Sequence, residues 1–150
     1  MRVNAMLNGV NTTFEIEPHE MLLDVLRRYG CISVRRGCNT SSCGVCTVLI
    51  DDAPILSCSY FAAKIEGRRI TTVEGLQNDV EELADFMAGE GSEQCGYCNP
   101  GLAMTVLAMK SDLREPTEEA IIDYTSGNLC RCTGYMGQLR AIKNYLGVQS

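Results

Sequence analysis

Tryptophan is absent from this sequence and histidine occurs once, as His19. A single imidazole with no partner at ligand spacing supplies neither a histidine metal site nor a base for a nucleophile. His19 is expected as a solvated residue in the first turn of a helix. No apolar run is long enough to span a bilayer. The opening Met1-Arg2-Val3-Asn4-Ala5-Met6-Leu7-Asn8-Gly9 has neither an apolar h-region nor twin arginines, so no export signal is expected. Basic charge is scarce too: 13 Lys and Arg against 19 Asp and Glu leave a net charge of -6. That balance argues against nucleic acid, whose phosphates need a basic surface. There is no Gly-rich phosphate loop and no G-x-S-x-G elbow. The chain alone is expected to perform no chemistry on an organic substrate.

What is abundant is cysteine, with nine in 150 residues. With no export signal the expected compartment is the cytoplasm, where clustered thiols bind metal more readily than they form structural disulfides. Hydrophobic content of 45% fits a globular chain. The length allows one domain or two small ones, and each half alone would sit near the size at which a core barely suffices.

Eight of the nine cysteines fall into two sets. Cys38, Cys43, Cys46 and Cys58 have the C-x4-C-x2-C…C spacing of plant-type [2Fe-2S] ferredoxins. Three sulfurs share one loop of small and polar residues, Gly37 to Cys46, where the backbone can approach closely and turn its amides toward sulfur. A Zn(Cys)4 site takes the same ligand count, but usually as two short knuckles. The second set pairs a C-x2-C, Cys95-Gly96-Tyr97-Cys98, with a C-x-C, Cys130-Arg131-Cys132. Spacing alone favours iron–sulfur over zinc there without excluding zinc. Cys31 lacks a partner role and reads as a small buried hydrophobe.

Periodicity divides the chain. Residues 3 to 16 alternate about Asn8-Gly9, a hairpin with a type I′ turn. A helix is expected from Pro18, with Met21, Leu22, Val25 and Leu26 on one face. Strands are expected at Thr47 to Ile50, Ile55 to Cys58 and Arg68 to Val73, with Asp51-Asp52 as a turn. The second half changes to helical period: Val80, Leu83, Ala84 and Met87; then Leu102, Ala103, Val106 and Leu107 after Pro100-Gly101; a third helix from Pro116-Thr117; a fourth with Leu139, Ile142, Lys143 and Leu146 on one face. This predicts an α+β chain: a small domain at residues 1–74, then four helices at residues 75–150 closed on a central metal.

The two sets together carry a resemblance. Gly37-Cys38, Cys43-Gly44-Val45-Cys46-Thr47-Val48, Gln94-Cys95-Gly96-Tyr97-Cys98-Asn99-Pro100-Gly101 and Gly127-Asn128-Leu129-Cys130-Arg131-Cys132-Thr133-Gly134-Tyr135 resemble the small iron–sulfur subunit of the xanthine dehydrogenase family of molybdenum hydroxylases. The resemblance implies a plant-ferredoxin-like (β-grasp) domain and a four-helix domain, each holding one [2Fe-2S] cluster. Cys38, Cys43, Cys46 and Cys58 would hold the flavin-side cluster. Cys95, Cys98, Cys130 and Cys132 would hold the molybdenum-side cluster, with Gln94 and Cys132 touching the pterin of the molybdenum cofactor. It implies a large molybdenum subunit, a medium FAD subunit and a dimer of heterotrimers, away from membrane and nucleic acid. The overall reaction expected is hydroxylation of a purine or other N-heterocycle, with aldehyde or carbon monoxide oxidation as alternatives. A free-standing two-cluster carrier is the competing class. Asn99 stands where threonine is common, Tyr97 where phenylalanine is, Arg35 where lysine is, and Met136-Gly137-Gln138 replaces a segment that usually carries an isoleucine.

Overall fold

The computed structural model describes residues 1–148. Strands β1 (Arg2–Leu7) and β2 (Val10–Glu15) pair antiparallel, with Val3 opposite Phe14. Between them Asn8 and Gly9 take φ of 49° and 82°, the left-handed pair that a type I′ turn requires. β3 (Thr47–Ile50), β4 (Ala53–Leu56) and β5 (Arg69–Thr71) complete a five-stranded sheet of order β2-β1-β5-β3-β4. β5 runs parallel to β1 and antiparallel to β3. Helix α1 (Leu22–Arg28) buries Leu22, Leu23, Val25 and Leu26 against one face of this sheet, in a core with Val3, Phe14, Val48 and Ile70.

All of β3 is buried, because its two faces meet different partners. Val48 and Ile50 enter the α1 core, whereas Leu49 packs with Met104 and Ala108. Those two residues belong to α3 (Asn99–Asp112), which α2 (Gln77–Gly89), α4 (Glu118–Thr125) and α5 (Met136–Leu146) surround. Leu102, Val106 and Met109 of α3 join Leu83, Met87, Ile121, Ala141 and Ile142 in the helical core. α3 therefore has no polar side and joins both halves. The side chain of Thr117 caps α4 by accepting from Ala120 N at 3.2 Å.

Several expected boundaries move. The first helix starts at Leu22, not at Pro18: Met21 is diverted into a bridge with Phe61, and His19 stays exposed in the preceding turn. β4 ends at Leu56 and Cys58 lies on a single 3-10 turn (Ser57–Ser59), because Ser57 Oγ donates to Cys46 O at 2.7 Å and draws the chain inward. β5 is shorter than the expected strand at both ends. The buried face of α5 is Gln138, Ala141, Ile142 and Tyr145, one position off the face expected from its leucines. The second cysteine set sits at one end of the helices, facing the Gly37–Cys46 loop, not at the centre of the bundle.

Candidate metal centres

In the first set, local sequence turns amides toward sulfur. The amides of Ser42 and Thr40 point at Cys38 and lower its thiol pKa to about 6. Cys38 Sγ also faces Cys43 Sγ, while Cys46 Sγ faces Cys58 Sγ. Burial pushes the Cys46 thiol up to about 11. Gly44, at φ 71°, makes the reversal between Cys43 and Cys46, and Thr47 Oγ1 fixes it by donating to Gly44 O at 2.7 Å.

The second set is built by the entry to α3 and the α4–α5 loop. Cys132 Sγ lies 3.6 Å from Cys95 Sγ, and Cys98 Sγ faces Cys130 Sγ. Burial pushes the Cys98 thiol up to about 11, whereas Cys95 and Cys132 are exposed. Thr133 Oγ1 donates to Cys130 Sγ at 3.2 Å. Tyr135 is left-handed at φ 69° after Gly134, which folds its hydroxyl back to accept from Cys130 N at 3.1 Å.

Both sets thus resolve into two pairs of sulfurs. Two thiolates on one tetrahedral metal at ~2.3 Å sit ~3.8 Å apart, so each pair suits one metal atom. Four thiolates around a single zinc would converge on one point. Among the described residues no three Cys, His, Asp or Glu side chains do so. Two pairs per set is the donor arrangement of a two-iron cluster with four Cys ligands.

The sets also touch each other. Leu129 N donates to Cys43 O at 2.9 Å, and Asn128 Nδ2 to Gly44 O at 3.3 Å. Arg35 Nη1 donates to Gly96 O at 2.8 Å and Tyr97 O at 3.1 Å, with its guanidinium over the Tyr97 ring. Tyr97 thereby serves the junction, its hydroxyl donating to Arg36 O at 3.0 Å. A cleft of about 490 Å³ is lined by Cys38 and Cys43 from one side and by Cys95, Cys98, Cys130 and Cys132 from the other. Gln94 is exposed beside it. Cys31 is buried in the sheet core, and Arg131 is exposed with no ion pair among the described residues.

The roles of Leu129, Asn128 and Thr133 escape sequence reasoning because each depends on which loop meets which. Gln138 left only a faint signal, as part of Met136-Gly137-Gln138, a segment in which the sequence departs from the resemblance; its place on the buried face of α5 comes from the structure. Gln138 Nε2 lies 3.9 Å from Cys98 Sγ.

Two family models match the chain in succession: a 2Fe-2S iron-sulfur cluster binding domain over residues 5–72 and a [2Fe-2S] binding domain over residues 72–143. Over 137 residues the chain is 39% identical to the nicotinate dehydrogenase small FeS subunit of Eubacterium barkeri, covering 89% of this chain and 87% of that one. It is 40% identical over 137 residues to the xanthine dehydrogenase iron-sulfur-binding subunit of Escherichia coli O157:H7, covering 89% and 86%. In structure it matches quinoline 2-oxidoreductase from Pseudomonas putida 86 with a TM-score of 0.90 at 37% identity, covering 97% and 93%. Two successive matches, over two sets of paired sulfurs, give the chain two [2Fe-2S] clusters. The chain belongs to the small [2Fe-2S] subunits of the xanthine dehydrogenase family of molybdenum oxidoreductases.

Proposed function

We propose that this chain conducts electrons within a cytoplasmic molybdenum hydroxylase, between a large molybdenum cofactor-binding subunit and a medium FAD-binding subunit in a dimer of heterotrimers. The enzyme's reaction is hydroxylation of a purine or another N-heterocycle. Residues 1–74 form one unit, in which Cys38, Cys43, Cys46 and Cys58 hold the flavin-side cluster. Residues 75–150 form the other, in which Cys95, Cys98, Cys130 and Cys132 hold the molybdenum-side cluster. Bound there, the clusters supply one-electron transfer.

The observation that carries this reading is the join between the two ligand loops. The Leu129 N–H···O=C Cys43 bond, at 2.9 Å, links a ligand residue of one set to the neighbour of a ligand in the other. A fixed wire needs such a join; a carrier that exchanges electrons at one surface site does not. The exposed Cys95–Cys132 pair opens beside Tyr97, Leu129 and Tyr135, three exposed apolar residues that suit burial by a protein partner. That mouth is assigned to the molybdenum subunit, with Gln94 and Cys132 on the pterin. Nicotinate, xanthine and quinoline, named for the relatives, are all nitrogen heteroaromatics, which supports the substrate class.

The test is purification from native cells through a tag on this chain. About four irons per chain, with molybdenum, flavin and two larger polypeptides, are expected. Anaerobic addition of a purine or nicotinate should bleach the visible spectrum. Bleaching by an aldehyde instead would move the substrate class, and iron without molybdenum would favour a free carrier. Zinc in place of iron would overturn the reading.

A further inference from the structure

We infer that Gln138 sets the reduction potential of the molybdenum-side cluster by donating an N–H···S hydrogen bond from its carboxamide to Cys98. The inference rests on the ligand assignment just proposed, and it concerns a residue that assignment does not use.

Gln138 is only 5% exposed, in the first turn of α5, on the face that otherwise buries Ala141, Ile142 and Tyr145. A carboxamide on an apolar face is costly unless its N–H groups find acceptors. Among the described residues the acceptor given to Nε2 is Cys98 Sγ, at 3.9 Å. The approach is shaped by the residue before it. A Cβ on Gly137 would stand 3.1 Å from Ser92 Cβ, so glycine there lets the start of α5 close on the segment that leads into the second cysteine set. In the free thiol, Cys98 donates to Asn99 Oδ1 at 3.7 Å. Ligation removes that proton and leaves Gln138 as the side chain donating to this sulfur.

The electrostatic consequence has a definite sign. Reduction adds one electron and so one unit of negative charge, shared with the ligand sulfurs. A donor aimed at a ligand sulfur stabilises the reduced form more than the oxidised form and raises the potential.

Redox titration of the tagged complex, following the EPR signals of both clusters, tests this with Q138L, the shape-preserving Q138M and the anionic Q138E. Loss of one hydrogen bond is expected to lower one midpoint, by up to about tenfold in the reduction equilibrium constant or ~59 mV for a one-electron couple. Q138E should move the same midpoint further in the same direction. The other midpoint and the iron and molybdenum contents should stay at wild-type values. An unmoved midpoint in iron-loaded Q138M overturns the inference and leaves the ligand assignment standing. Equal shifts of both midpoints, or loss of the second cluster from all three variants, make Gln138 a structural residue and overturn it too. A wild-type complex without two clusters would instead overturn the assignment beneath it.

Discussion

Gly89 and Gly101 both lie in helices, where alanine is intrinsically favoured by about 1 kcal/mol. Nothing stands within 4 Å of a Cβ built on Gly89, so G89A should stabilise the chain by about 0.5 kcal/mol. A Cβ on Gly101 would collide with Gly44 O and stand 2.7 Å from Val45 O, both in the first metal loop. There the same change should cost about 1–3 kcal/mol, read as opposite shifts of the melting temperature in the two variants. Cys31 makes a second contrast. It is buried in the sheet core, so C31A should keep both clusters and lose about 1 kcal/mol of stability. C98A should lose about half of the iron, which metal analysis would show directly. Cys31 was legible as a small buried hydrophobe from its place outside both spacing patterns. Gln138 was legible only as an oddity, because its acceptor lies 40 positions away in sequence.

At the scale of elements, the turn Val73–Gly75 between β5 and α2 is held by one carboxylate. Glu74 accepts from Ser33 N at 2.9 Å, Ser33 Oγ at 2.7 Å and Thr72 Oγ1 at 2.6 Å. Burial works against its ionisation, yet the bonds from Thr72 and Ser33 outweigh burial and hold its pKa below the usual carboxylate range. A depressed folded pKa stabilises fully above the unfolded value, ~4.3, and the benefit is lost as pH falls through the folded value. E74Q should therefore cost about 1–2 kcal/mol at neutral pH and flatten the acid side of the stability profile, measured by urea denaturation across pH. A profile as steep as wild type would reject this role. A domain boundary after residue 74 was expected from sequence, whereas the turn, which ends the strand before Val73, and its donors were not: Ser33 reaches Glu74 only because the segment after α1 returns to the end of β5. The first helix was misplaced for a similar reason. Proline and periodicity mark Pro18 as a start, but the Met21–Phe61 bridge, a long-range pairing, takes the residues between.

For the whole molecule, the junction between the sheet half and the helical half is apolar along α3 and polar at the metal loops. Leu49, Met104 and Ala108 are buried together, and Arg35 clasps the carbonyls of Gly96 and Tyr97. With α3 serving both cores, the isolated chain should unfold in one calorimetric transition. R35A should lower it by several degrees, since charged hydrogen bonds contribute about 1.5–3 kcal/mol and a domain of this size shifts ~2–4 °C per kcal/mol. Two separate transitions in the wild type would show that the halves are energetically independent.

The sequence by itself determined the inventory and spacing of thiols and the class of fold. Cysteine spacing is covalent information, and alternation of period two followed by period 3.6 records which faces must be buried. Tertiary structure alone decided which sulfurs pair, which loop meets which, and that a glutamine amide lies against Cys98. Sulfur pairing and loop contact depend on segments distant in sequence being brought within hydrogen-bond range, and nothing local encodes that distance. The polar junction was hidden for the same reason. Glycines at 44 and 101 read as turn and helix-entry residues until the collision of their missing side chains shows that two backbones must touch there.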